Sequence, residues 1–372
     1  WPVSVWKGSP LMLVRLEHRP EASKSLVYVS PIIAVVLTVL TATVMFALLG
    51  VDPVKAIETF FVEPISSLDG VAELLVKATP LVLIGVGLSL GFQANVWNIG
   101  AEGQLVIGAL AGGGLALAFF DQQSIFLVPA MLVCGVLGGM AWAAIPAFLK
   151  TRYNTNEILT SLMLTYVGLL VLSYLVHGPW KDPEGMNFPE SRLFHDSALL
   201  PILIDETRLN VGWLVALFVV VLGWILISRH IIGFQIKVIG QAPMAASFAG
   251  FKEKRLIWLT LLISGGCAGL AGVIELSGAI GQIVPSISPG YGFTAIIVAF
   301  LGRLHPVGVL FAGLLMALTY LGGDSAQITM NLPNAVTGVF QGMLLFFLLA
   351  SDVLIRYRVR FGAPKIMKEP SE

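Results

Sequence analysis

Charge is scarce in this chain. Only 12% of its residues are Asp, Glu, Lys or Arg, against 56% hydrophobic ones, and soluble domains carry roughly twice that charge. With a mean hydropathy of +0.88, the sequence reads as an integral membrane protein. Its formal net charge is zero, so nothing favours a nucleic-acid partner. Cysteine is rare too: Cys134 and Cys267 lie in apolar runs without metal-ligand spacing, as buried inert thiols do. The dipeptide Gly-Lys never occurs, which excludes a P-loop and hence an ATPase within this chain. No HExxH, nucleophile elbow or paired catalytic carboxylate is present, so no enzyme chemistry is expected. Histidines 18, 177, 195, 230 and 305 sit at segment ends or in loops, leaving no proton relay through the apolar segments. Residues 1–24 carry charge and proline rather than the pattern of a cleavable leader.

Long apolar runs, by contrast, are plentiful. A spanning helix needs about 20 mostly apolar residues. Ten segments qualify or nearly do: 30–51, 71–92, 99–119, 125–149, 157–177, 211–227, 256–276, 290–301, 307–321 and 335–355. With the N-terminus in the cytoplasm, 17 Lys and Arg fall inside and four outside, as the positive-inside rule requires. The expected fold is therefore an all-α polytopic membrane protein with about ten transmembrane segments, some broken or short. Both termini are cytoplasmic: a segment 1–29, a membrane domain 30–355 and a tail 356–372.

Two places depart from simple spans. Residues 290–301 would rise only about 18 Å, and Gly302-Arg303-Leu304-His305-Pro306 forbids a continuous helix; a pair of short or re-entrant helices meeting on the cytoplasmic side is expected. The stretch 91–104 is glycine-rich and polar, without Lys or Arg. Either it is an ordinary cytoplasmic turn, or it is a discontinuous helix lining protein or a water-filled path. Gln93, Asn95, Asn98, Glu102 and Gln104 are its candidate residues. Glu102 falls in the first turn of a half-helix starting near Gly100, where it would hold the broken segment to a neighbour. Asn156 is suited to N-cap a helix whose first residue is Glu157.

Outside, Asp52–Gly70 has the pattern of an interfacial helix, with Ile57, Phe60 and Phe61 on the outer leaflet. The 178–210 loop, with four prolines and Trp180, is long enough to fold over the outer mouth, as a receptor-docking surface, a lid or a passive loop. Glycines at 108, 112–114, 135, 138, 139, 265, 266, 269 and 272 let helices approach closely in lipid.

The cytoplasmic loop 228–255 contains its own short helix. Pro243 suits its first turn and Gly250 its stop. Ala242, Ala245, Ala246 and Ala249 share one face, while Met244, Phe248 and Phe251 share another. Two turns cannot stand alone in water. This helix either lies on lipid or docks on a soluble partner.

The run Asn98–Gln104, NIGAEGQ, followed by Gly108-Ala109, resembles the signature of ABC-importer permeases of the ribose, branched-chain amino acid and nucleoside group, and is most similar to the nucleoside branch. Asn156-Glu157-Ile158, Met163-Leu164, Gly292-Phe293-Thr294-Ala295-Ile296, and Gly302-Arg303 with Pro306-Val307-Gly308 match further blocks in order. Gly240, Ala245, Ala246 and Gly250 match the group's coupling loop. The likeness runs from about Arg15 to Arg356. Thr165 departs from it, standing where relatives commonly carry Asn. The resemblance implies a multi-pass permease of the bacterial plasma membrane without cofactor of its own. Two ATP-binding subunits would hold ATP and Mg, beside a second, non-identical permease and an extracytoplasmic substrate-binding protein. It makes Gly240, Pro243, Met244, Ala245, Ala246, Phe248, Gly250 and Phe251 the ATPase-coupling residues. Gln93, Asn95, Asn98, Glu102, Gln104, Asn156, Glu157 and Phe293 become pathway or broken-helix candidates. Nucleosides are the expected substrates; simple sugars, branched-chain amino acids, or a stand-alone ion-coupled carrier or channel are the alternatives.

Overall fold

A computed structural model of the chain describes residues 14–18, 24–122, 124–185, 187–333 and 335–361. The expected cytoplasmic placement of residues 1–13, 19–23 and 362–372 lies outside them.

Helices α1 (Lys24–Leu48), α2 (Pro53–Phe61), α3 (Leu68–Gln93), α4 (Ala101–Ala118), α5 (Leu127–Tyr153), α6 (Glu157–His177), α7 (Gly212–Arg229), α8 (Ile231–Gln241), α9 (Pro243–Phe248), α10 (Glu253–Ile274), α11 (Tyr291–Leu301), α12 (Pro306–Met330) and α13 (Ala335–Arg356) follow in order. Eight of them are long and apolar enough to cross a membrane, and 291–301 and 335–351 are shorter apolar helices. All ten expected segments are helical. The pair at 290–321 is not symmetric, however: α11 has 11 residues, but α12 has 25 and continues to Met330. Only the first is short.

The chain divides into two units, residues 1–53 with 342–372, and residues 54–341. In the first, α1 satisfies its polar side chains internally, as lipid demands: the hydroxyls of Thr38, Thr41 and Thr43 donate to the carbonyls of Ala34, Leu37 and Val39. Ser351 donates to the Ser30 carbonyl at 3.2 Å. Strands β1 (Val14–His18) and β2 (Tyr357–Phe361) pair antiparallel, Val14 opposite Phe361 and His18 opposite Tyr357. This ribbon joins the flanks of the first and last helices, so both lie on one side, in keeping with an even number of crossings.

In the second unit α3 is the hub. Every residue from Ala78 to Phe92 is buried, the mark of a helix apolar all round. The elements α7, α10, α11 and α12 surround it. Beside it, α4, α5 and α10 meet along a glycine seam. A Cβ on Gly108 would stand 2.2 Å from the Gly269 Cα, and one on Gly139 2.1 Å from the Gly265 carbonyl oxygen. Backbones this close leave no room for a side chain, and in lipid such packing replaces the hydrophobic effect as the adhesive.

One outer feature differs from expectation, and a second gains detail. The α2 helix docks on protein rather than resting on lipid alone: Phe60 is fully buried and stacks on Phe340 at 5.8 Å. The 178–210 loop is tied down along the end of α10. Ser191 and Phe194 donate backbone N–H groups to the carbonyls of Ile283 and Gly281, and Leu200 to that of Ser277. Its Trp180 ring closes over Gly114.

Gly269→Val would place a Cβ 2.1 Å from the Gly135 carbonyl, so it should destabilise the protein by about 3 kcal/mol. Gly338→Ala, with nothing within 4 Å, is the neutral control. Thermal unfolding in detergent compares the two.

Candidate functional site

The polar stretch between α3 and α4 is a climb, not a turn. It starts at Gln93, whose side-chain Nε2 donates to the Leu304 carbonyl at 2.5 Å, level with the inner end of α11. It ends at Glu102, whose Oε2 accepts from the Gly292 backbone N–H at 2.6 Å, in the first turn of α11. That short helix rises only about 16 Å of a hydrocarbon core of about 30 Å. It is too short to cross by itself, and α4 begins beside its N-terminus. Two helix N-termini thus converge on one side-chain carboxyl group, whose oxygen accepts from the first turn of α11. The N–H that Glu102 takes up would otherwise be unpaired in lipid. The approach is close enough that a Cβ on Gly292 would lie 2.3 Å from the Glu102 nitrogen.

Below Glu102 the climb is held by amides. Asn98 and Gln104 bond each other twice, at 2.8 and 3.1 Å, and Asn98 donates a third bond to Ser264 of α10 at 2.9 Å. The Asn98 Oδ1 also accepts from the Gly100 N–H, and Ser161 of α6 accepts from the Ile99 N–H. Asn98, Glu102 and Gln104 are all buried, and these bonds turn the two amides toward each other. Asn95 adopts a left-handed conformation at the bottom of the climb, with φ 56°, and its Oδ1 accepts from the Trp97 indole. Trp97, Phe92 and Phe300 stack within 5.0–5.7 Å. Phe293 is partly exposed.

Asn156 and Glu157 stand apart from this group. The Asn156 Oδ1 accepts from the N–H groups of Ile158 and Leu159 at 2.9 and 3.4 Å. Glu157 takes a 2.6 Å ion pair from Lys150. Together they fasten the tight connection between α5 and α6.

Helix α8 folds back onto the end of α3, and α9 packs on α8. His230 caps α8 through its Nδ1, Pro243 opens α9, and Gly250 stops it at φ 76°. Ala246 is buried with Leu90, Ala94, Ile236, Ile257 and Leu261 in one apolar cluster. Of the four alanines, only Ala246 packs inward. Phe251 does not share the outer face of Phe248; it turns back edge-on to Phe234 at 6.3 Å, because the left-handed Gly250 reverses the chain. Met244 and Phe248 remain 81% and 94% exposed, with Ala245 beside them. Gly240 is seated so closely on α3 that a Cβ there would lie 1.9 Å from the Gln93 carbonyl oxygen.

The partners that close the climb were hidden from the sequence. Ser161, Ser264, Gly292 and Leu304 lie 62 to 211 residues from the atoms they bond. Only the solitary hydroxyls in apolar runs hinted at them.

Glu102→Leu removes the acceptor of the Gly292 N–H and should lower stability by about 1–3 kcal/mol. Glu102→Gln keeps an acceptor and should cost less. Chemical unfolding of the purified chain in detergent orders the two.

Comparison with known proteins places this architecture. The family described as "Branched-chain amino acid transport system / permease component" matches residues 70–349. A glucose ABC transporter permease protein of Haloferax volcanii is 36% identical, over 93% of each chain. A guanosine ABC transporter permease protein of Bacillus subtilis is 29% identical, over 91% of this chain and 96% of its own. A nucleoside ABC transporter permease protein of Lactococcus lactis is 27% identical, over 87% and 91%. The break at 94–100, the short α11 and the exposed α9 therefore sit in a multi-pass ABC permease, and the chain belongs to the branched-chain amino acid transport system permease family.

Proposed function

We propose that this chain is one of two membrane subunits of an ATP-driven importer, that nucleosides are its solutes, and that α9 is the element its ATP-binding subunits push. An external substrate-binding protein delivers the solute, and the second membrane subunit is a related, non-identical chain. The observation that carries the coupling reading is the exposure of Met244 and Phe248 on a short helix that packs on α8 and buries Ala246 in the apolar cluster of Leu90, Ile236 and Ile257. Apolar side chains this exposed in a basic cytoplasmic loop, beside Lys252, Lys254 and Arg255, mark an interaction surface. A short helix inserting its apolar side chains into a partner's groove is a recurrent mode of recognition.

Two contacts would carry the push inward. Gly240 bears on the Gln93 carbonyl, at the foot of α3 and of the polar climb. Gln93 in turn bonds Leu304, in the left-handed pair Arg303-Leu304 between α11 and α12. Closure of the ATPases then biases both discontinuous elements between inward- and outward-open arrangements. The nucleoside reading draws on the guanosine and nucleoside relatives. The glucose relative supports a second reading, in which the solute is a hexose. Both are neutral molecules carrying a hydroxylated ring.

Two variants separate docking from transmission. Phe248→Asp should leave membrane insertion and melting unchanged while ATP-binding subunits no longer co-purify and uptake stops; normal uptake by that variant would contradict the reading. Gly240→Val leaves Met244 and Phe248 in place but forces α8 off the Gln93 carbonyl, so melting should fall while the ATPases still co-purify and ATP-dependent uptake drops roughly 5- to 150-fold, the range of typical coupling energies. Uptake of radiolabelled guanosine and glucose into cells expressing the whole transporter measures both.

A further inference from the structure

A cavity of about 310 Å³ lies at the other end of α3, walled by that helix, the residues after α10 and the segment leading into α11. The α10 helix does not stop at Ile274 but widens into a π-helical turn, Glu275–Ile280, closed by Gly281 at φ 80°. Such turns recur at functional sites because the extra residue pushes the backbone out of line. We propose that this cavity is a binding site for the neutral, hydroxylated ring of the transported solute, a pentose or hexose.

The first ground is charge. Glu73 and Arg208 form a two-point ion pair, Nε and a terminal guanidinium nitrogen donating to the two carboxylate oxygens, and Glu275 shares the lining with Lys77. Among the lining residues two carboxylates face two cations, so neither an anion nor a cation finds an uncompensated opposite charge there. The second is hydrogen-bonding type. Carboxylates accept, ammonium and guanidinium donate, and the hydroxyls of Ser286 and Tyr291 do both. A ring hydroxyl, itself donor and acceptor, needs such a mixed set. The third is Tyr291. Its side chain is fully buried and lines the cavity, and its hydroxyl stands beside the Glu275 carboxylate without a close hydrogen bond to it. A bound ring hydroxyl, accepting from the phenol and donating to the carboxylate, would complete both. Finally, Val76, Ile280 and Ile287 supply an apolar wall for the C–H face of a ring, the usual division of labour in small-molecule sites.

The way in is visible. A second cavity, of about 570 Å³, shares Glu73 and Arg208 with the first and is lined by Ser66, Ser67 and Asp69 between α2 and α3. The ion pair separates the two. Arg208 is largely exposed, and ion pairs of that kind hold weakly, so it can swing aside for a solute arriving from outside.

The inference rests on the importer reading, and the test keeps the two apart. Saturation-transfer NMR on the full chain in lipid nanodiscs, with guanosine and glucose as probes, reports weak binding directly. Transfer to the ring C–H protons of at least one probe is expected. It should drop roughly fivefold in Tyr291→Phe, as for one lost hydrogen bond between neutral groups, and vanish in Ala279→Trp, which fills the cavity. Melting temperatures confirm that each variant is folded, and Tyr291→Phe alone decides if Ala279→Trp is not. Equal transfer in wild type and Tyr291→Phe, or none from either probe in wild type, overturns the site. ATP-dependent uptake persisting after such a result would leave the importer reading standing. Cavity binding without any ATP-dependent uptake would retire the importer reading and keep the site.

Discussion

Helices α4 and α11 begin side by side within the protein, where first-turn N–H groups need partners that water does not supply. The arrangement of its centre follows from that constraint. Glu102 sits in the first turn of α4 and accepts from the first turn of α11, so one side chain answers for two exposed ends. The Asn98–Gln104 pair and Ser264 do the same for the ascending backbone. Remove these and the irregular segment could survive only in water. The glycines opposite are a corollary: Gly292 against Glu102, and Gly272 against the Leu105 carbonyl, allow the approach that the hydrogen bonds require.

With its centre so held, α3 becomes a rigid rod with a site at each end. Its outer end carries Glu73 and Lys77 at the charged cavity; its inner end carries Gln93 beneath Gly240. Twenty residues of helix between them span about 30 Å. Almost every intervening side chain is buried, so the rod cannot bend freely in a close-packed surround. Under the proposed coupling, a displacement of α9 would reach the charged cavity without a chain of loops between. Linkage would make the relation mutual: a ligand in the cavity would bias how α9 stands.

Much of the scaffold was legible because lipid enforces simple rules. The ten apolar runs, the bias of Lys and Arg and the stop at Gly250 all translate directly into physical demands on helices. The failures are equally physical. Phe60 was assigned to the lipid surface because an amphipathic stripe looks the same whether it faces acyl chains or Phe340. Phe251 was grouped with Phe248 by helical spacing, which the reversal at Gly250 invalidates. The segment 307–321 fell short of α12 because it stopped before Gly322, Gly323 and Asp324, although both glycines are buried and a Cβ at Gly322 would lie 2.3 Å from the Phe60 carbonyl oxygen of α2. The charged cavity escaped notice because its members come from four separate parts of the chain, each unremarkable by itself.

The ribbon between β1 and β2 bears on how the protein is made. Its strands are separated by nearly the whole polypeptide, so the first is synthesised long before the second exists. During translation, α1 must wait in the bilayer without the strand and the Ser351 contact that belong beside it. Loop closure over so long a chain is slow and late. The clasp that joins beginning to end is therefore the final event of biogenesis, and a truncation just short of Tyr357 would leave every crossing inserted but the two ends unfastened.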